Sequence, residues 1–346
     1  MGLSFRGWRS PMTGVAVVGH LCVDLRPQLP GPPVLEPGVL AQVGPAVVTL
    51  GGAVANTGRV VALLGVPVEG WGAIGRDDFG AIVRGHLARV PGFRFHPEVV
   101  DAGTAYTIVV EPPGTDRTFW HHPGTNALLD LARVDLAGVD LLHFGYPSLM
   151  PGVCADAGDG LADLYARAVA AGVVTSLDLA WVDPLTSAGA VDWPSFLQRV
   201  LPLVDVVSPS WADLASALDL PLEWDAARGR DLVEQLLDWG AGLVVLTAGE
   251  QGALLGAAGA DRLARLARYR LDVATWAGAR TAASARPVDR IGTTAGAGDA
   301  ATAALLVALR EGRDPAATLA YCADVASAVI EQGGTGGFTG LRSPRA

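Results

Sequence analysis

The run Thr293-Thr-Ala-Gly-Ala-Gly-Asp-Ala-Ala-Thr-Ala-Ala-Leu-Leu306 carries the most specific chemistry in this chain. Small residues lead directly into an apolar helical pattern. The backbone N–H groups of Gly296, Ala297 and Gly298 are thereby expected to converge beside the positive end of a helix dipole. Such a loop is an anion hole suited to phosphoryl oxygens. Asp299 falls in the first turn, where it can take a proton from an attacking hydroxyl. A base, positioned donors and charge stabilisation are what phosphoryl transfer requires. Standing alone, Gly-x-Gly-Asp reads better as an ordinary helix start with a carboxylate favoured by the dipole.

Other motifs weigh against that bland reading. Gly19-x-x-x-x-Asp24 puts a carboxylate at the end of the first apolar run, where α/β sheets bind ligands and two vicinal hydroxyls can donate to it. By itself Asp24 is equally a turn cap. In Gly51-Gly52-Ala-Val-Ala-Asn56 the glycines allow close backbone approach, and the Asn56 amide can both donate and accept. Leu64-Gly65, Gly72-Ala-Ile-Gly75-Arg-Asp77-Asp-Phe-Gly80 and Gly124-Thr-Asn126 follow. Thr247-Ala-Gly249-Glu-Gln-Gly252 offers a hydroxyl and amides to nucleotide phosphates, although a plain turn explains it nearly as well.

Taken in this order over nearly the whole chain, the motifs resemble the PfkB family of ribokinase-like carbohydrate kinases. The resemblance implies a three-layer α/β/α sandwich with a mainly parallel central sheet and a small β lid. It also implies ATP-dependent transfer of a γ-phosphoryl group to a primary hydroxyl of a sugar or sugar-like molecule. Asp299 would be the base and the amides of Gly296, Ala297 and Gly298 the anion hole. Substrate would meet Asp24, Gly51, Gly52, Asn56 and Asn126; nucleotide would meet Ser210, Thr247, Gly249 and Gly252. Mg²⁺ would be held through water by Asp213, and two copies would pair through the lid as a homodimer.

Departures from the family pattern bear on ions and substrate. Ser210-Trp-Ala-Asp213 stands where the family has Asn-x-x-Glu, and Thr293 replaces an acidic residue that serves a monovalent cation, leaving that cation in doubt. Ser176-Leu177-Asp178-Leu179-Ala180 lacks Asp-Pro-Asn, and His143-Phe-Gly-Tyr146 lacks an acidic residue of ribokinase-like members. His121 and His122 read first as exposed lid residues and second as substrate contacts. A nucleoside kinase of the same family is the nearest alternative, with Phe119 or Trp120 stacking on a base. A non-catalytic sugar-binding regulatory protein on the same fold is the other.

The elements that position these residues alternate along the chain. Apolar runs at 14–19, 68–74, 140–144, 173–177, 204–208 and 243–247 read as strands. Helices are expected at 51–64, 77–90, 156–171, 296–310 and 315–330. Alternation of this kind predicts a mainly parallel sheet covered on both faces. The stretches 21–50 and 93–123 break it and are assigned to the lid, with a hairpin across 104–121. Residues 262–285 read as a surface insertion, 1–13 as a poorly ordered start, and 14–340 as one domain.

Composition narrows the classes further. A net charge of −10 in 346 residues opposes nucleic-acid binding. The chain contains no lysine, which excludes a Walker A loop, a protein-kinase lysine and Schiff-base chemistry. Cys22, Cys154 and Cys322 have no metal or disulfide spacing, which suggests a reducing cytoplasm. No apolar run approaches the length of a membrane span.

Overall fold

A computed structural model describes residues 14–113, 117–269 and 271–341. In chain order the strands are β1 (Gly14–Gly19), β2 (Cys22–Pro27), β3 (Ala46–Gly51), β4 (Val68–Ile74), β5 (Phe93–Val99), β6 (Tyr106–Val110) and β7 (Thr118–His122). They continue with β8 (Val139–Gly145), β9 (Val174–Asp178), β10 (Val206–Val207), β11 (Leu243–Thr247), β12 (Ala253–Ala257) and β13 (Arg280–Ala283). The large sheet runs β13-β12-β11-β10-β9-β8-β1-β4-β5, and the small one β3-β2-β6-β7.

From β11 to β5 every neighbouring pair in the large sheet is parallel, and β12 and β13 continue it antiparallel. The central strands are buried throughout; β1 reads as an unbroken apolar run, and β8 buries Asp140 and His143 among its apolar residues. Continuous burial follows from helices packing on both faces. One face carries Leu142, Phe144, Leu164 and Tyr165. The other carries Val15, Val17, Leu141, Leu305 and Leu306, so two cores sandwich the sheet. The helix Ala297–Arg310, which starts at the Gly-Ala-Gly-Asp run, is buried nearly end to end, as its Ala/Leu/Val sequence requires.

The small sheet leaves the main body after β1 and is stitched by β2–β6 parallel and β2–β3 and β6–β7 antiparallel pairs. Its Val47, Val48, Phe119 and Trp120 are exposed. Two sequence expectations are corrected here. Phe93–Val99 does not join the lid; it pairs with β4 over seven residues as the edge of the large sheet, because Phe93 packs against the second core. Residues 262–285 are no surface insertion: Leu263, Leu266, Tyr269, Leu271 and Trp276 are buried in the second core and β13 closes the sheet. Its alanines and arginines conceal an apolar stripe. Residues 1–13 and the 114–116 part of the expected hairpin turn lie outside the described residues.

Candidate active site

The carboxyl ends of β1, β8, β9, β10 and β11 open on one edge of the sheet, where the strand order reverses around β1. Such a switch point is where open α/β sheets leave a crevice. Asp299 sits there, 2% exposed, in the first turn of its helix. Gly296 caps that helix at φ 79°, and a Cβ on it would press to 2.6 Å from Thr335 Cγ2, so glycine is required on two counts. The Ala297 N–H donates to the Thr294 carbonyl at 3.3 Å. Gly298 and Asp299, in the first turn, have no intrahelical partner for their amides. A Cβ on Gly298 would meet nothing within 4 Å, so its amide borders open space.

Three side chains hold the Asp299 carboxylate. Thr57 Oγ1 donates to Oδ1 at 2.8 Å; Asn56 Nδ2 and Tyr146 Oη donate to Oδ2 at 3.1 and 2.7 Å. Burial pushes the Asp299 carboxyl above the usual carboxylate range, and these three bonds pull it back. Asn56 is itself oriented, because its Oδ1 accepts from Thr335 Oγ1 at 2.7 Å. Arg59 in turn fixes the Thr335 and Gly336 carbonyls at 2.9 and 3.2 Å. Asn56 and Arg59 share the helix Ala53–Leu63, whose N-cap Gly52 has φ 87° and packs on the His20 carbonyl.

Asp24 lies on β2 beside this cluster, and an ideal Cβ on Gly51 would stand 2.6 Å from its carboxylate oxygens. Burial raises the Asp24 carboxyl, and the charge of Asp299 adds to the rise, so the two carboxylates sense one another. Cys22 Sγ donates to Asp24 at 3.3 Å. His121 bonds Thr107 Oγ1 at 3.0 Å and faces His20 Nε2 at 3.3 Å, tying the lid to the end of β1. Burial drives both imidazoles toward the neutral form, with His121 lowered to about 4. His122 is exposed.

Asn126 serves differently from its expected place on substrate. Its amide accepts from the Leu21 N–H at 3.2 Å and donates to the Leu21 carbonyl at 3.0 Å, clamping the chain between β1 and β2. Leu21 stands three residues before Asp24, at the entry to β2.

The nucleotide-side residues are tied locally. Ser210 and Asp213 form a reciprocal capping box on the helix Trp211–Ala217, with Ser210 Oγ 2.6 Å from Asp213 Oδ2. Ser210 and Thr247 adjoin across a parallel bridge. Gly252 donates to the Gly249 carbonyl and accepts from Ala248, closing the turn between β11 and β12. None of the bonds of Gly249 and Gly252 among the described residues reaches the Asp299 cluster. Asp213 does sense it: burial raises its carboxyl to about 6, with a smaller push from Asp299.

A family model for pfkB family carbohydrate kinases matches residues 12–339. The chain belongs to the pfkB family. Solved structures resemble this pfkB protein along its length. Arabidopsis thaliana ribokinase, solved with ribose and ATP, has a TM-score of 0.73 at 20% identity, covering 95% of this chain and 96% of its own. Thermotoga maritima ribokinase gives 0.69 at 19%, covering 94% and 95%. A Methanocaldococcus jannaschii nucleoside kinase gives 0.64 at 17%, covering 94% of each chain. These likenesses establish the ribokinase-like α/β fold. No curated protein sequence matches the chain.

The residues of this pfkB protein suit a magnesium ion held jointly with phosphates. Among the described residues no ready-made metal cage of His, Cys, Asp or Glu exists. Mg²⁺ usually needs none, keeping its waters and taking one or two carboxylates. Asp178 is held well above the ordinary carboxylate range by burial and then by the charges of Asp213 and Asp299. A cation would relieve that repulsion, with Asp213 and Asp178 as the side chains to hold it. Motif reading passed over Thr57, Thr335 and His20. Thr57 had a usable signal, since it follows Asn56 directly on the helix.

Proposed function

We propose that this protein transfers the γ-phosphoryl group of ATP to a primary hydroxyl of a sugar or sugar-like molecule, with Asp299 as the base. The observation that carries the reading is the buried Asp299 carboxylate in the first turn of the helix Ala297–Arg310, beside unpartnered amides and within electrostatic reach of Asp24. Asp24 and the second N–H of Asn56 hold vicinal hydroxyls and orient the acceptor. Asp299 removes its proton, while the amides of Gly296 and Gly298 stabilise charge on the transferring group. The third amide expected there, that of Ala297, is turned to the Thr294 carbonyl. Magnesium, when bound, neutralises phosphate charge. The small sheet excludes water, a competing acceptor.

A nucleoside acceptor is the second reading, favoured by the exposed Trp120 ring on β7, which could stack on a base; the neighbouring Phe119 ring carries the Arg117 guanidinium 5.5 Å from its centre. Their exposure also supports the expected pairing of two lids, which light scattering at micromolar concentration tests. The functional test is ADP release with a panel of sugars and nucleosides, using Asp299→Asn as the control. Turnover with a sugar supports the first reading and turnover with a nucleoside the second. Ligand binding without any ATP consumption would turn the assignment to a non-catalytic binding protein in a reducing cytoplasm.

A further inference from the structure

Tyr146 stands where β8 ends, and its backbone is left-handed, at φ 69° and ψ 50°. That conformation is unfavourable for a bulky residue, and doubly so before Pro147, because a following proline favours the extended region. Strain of this kind persists only where surrounding structure over-determines it, and it clusters at functional sites. Two backbone bonds hold the turn: Tyr146 N–H to the Asp178 carbonyl at 3.1 Å, and Leu149 N–H to the Tyr146 carbonyl at 3.1 Å. An extended backbone would aim the ring away. The left-handed one delivers Oη to 2.7 Å from Asp299 Oδ2, the shortest of the three bonds that carboxylate receives.

The three donors reach Asp299 from two sides. Thr57 and Asn56 project from the helix Ala53–Leu63, and Tyr146 from the end of β8 in the main sheet. A carboxylate offers about four acceptor positions. With two donors on Oδ2 and one on Oδ1, a single position, on Oδ1, is left for an incoming hydroxyl. Burial and the charges of Asp299 and Asp178 hold the phenol protonated far above its ordinary range, so Tyr146 donates and does not compete for the proton being removed.

We infer that Tyr146 is a positioning residue for the base: its hydroxyl, 2.7 Å from Oδ2, holds the Asp299 carboxylate turned so that only Oδ1 is open to the acceptor. This rests on the kinase reading, and the residue works through Asp299 rather than on substrate.

Tyr146→Phe removes one oxygen and keeps the ring, so the fold is retained, as thermal melting checks. In protein labelled with ¹³C at aspartate carboxyls, Asp299 is assigned by the signal missing from Asp299→Asn and titrated without substrate. Its midpoint should rise by about one pH unit in Tyr146→Phe, the effect of losing one hydrogen bond to the charged form. An unchanged midpoint in Tyr146→Phe overturns the proposal. With the best acceptor from the panel, the acid limb of kcat/KM should move up by the same amount while acceptor KM changes little. A limb that stays in place also overturns it. Absence of wild-type turnover would sink the kinase reading alone, because the titration needs no acceptor.

Discussion

The two halves of the site are organised in opposite ways. Around Asp299 and Asp24, side chains from the main sheet, the lid and two helices hold one another, and the bonds to Asp299 and Asn56 span 153 to 279 residues. Around Ser210, Asp213 and Thr247 the groups mostly satisfy their own neighbours, through a capping box and a closed turn. The acceptor half is therefore set before any ligand arrives, and the entropy of ordering it is met during folding. The nucleotide half presents carboxylates that burial and mutual repulsion hold toward the neutral form. On the kinase reading, a cation bound with the nucleotide would favour their charged forms.

The severest way to break this contrast is Asp299→Asn. Turnover should fall by about 10²- to 10⁴-fold, as expected for loss of a positioned base, measured by ADP release. Stability should not fall with it. Burial raises the folded-state carboxyl above its unfolded value, so protonation favours folding. That stabilisation is full below the unfolded value and is lost as pH rises through the folded one. An amide avoids the cost of the buried charge at pH 7, and the Thr57 hydroxyl can reverse to accept from it. A melting temperature at pH 7 well below wild type would refute a preorganised acceptor half.

Asn126→Ala strikes the same half through its frame. It strips partners from the Leu21 N–H and carbonyl, at about 1–3 kcal/mol for each buried group left unpaired. Urea unfolding should show a loss of about 2–4 kcal/mol, whereas a loss within about 0.5 kcal/mol would be that of a surface site.

Asp24→Asn should weaken acceptor binding by about 10- to 100-fold, the value of hydrogen bonds to a charged group, and leave ATP affinity unchanged. Calorimetry with each ligand separates the two halves; equal losses for both would erase the distinction.

The mildest change is Asp213→Asn, which should raise the Mg²⁺ requirement about tenfold without altering acceptor KM. In the wild type the requirement should grow as pH falls through about 6, where the Asp213 carboxyl gains its proton. A flat metal requirement between pH 5 and pH 7 would remove Asp213 from the cation site.

Legibility in the sequence followed the same division. The helix beginning at Gly296, the central parallel strands and the lid hairpin strands β6 and β7 all announce themselves through local period and turn chemistry. Phe93–Val99 did not, because an edge strand carrying arginine, histidine and proline reads the same in either sheet. Residues 262–285 hid their buried leucines and tryptophan among alanines and arginines. Ser210 and Asp213 were legible as a pair with functional spacing, yet that spacing is also a capping box.

Sequence by itself determined the doubly covered parallel sheet, the amide-lined start of the helix at Ala297, and Asp299 within it. All three depend on residues close together in the chain, where backbone geometry acts directly. Tertiary structure alone decided that Asp299 is held by Thr57, Asn56 and Tyr146, that Asn126 braces Leu21, and that Asp24 shares its field. The hydrogen bonds among those relations join residues up to 243 positions apart. No local rule orients a side chain toward a partner that only the packed sheet brings near.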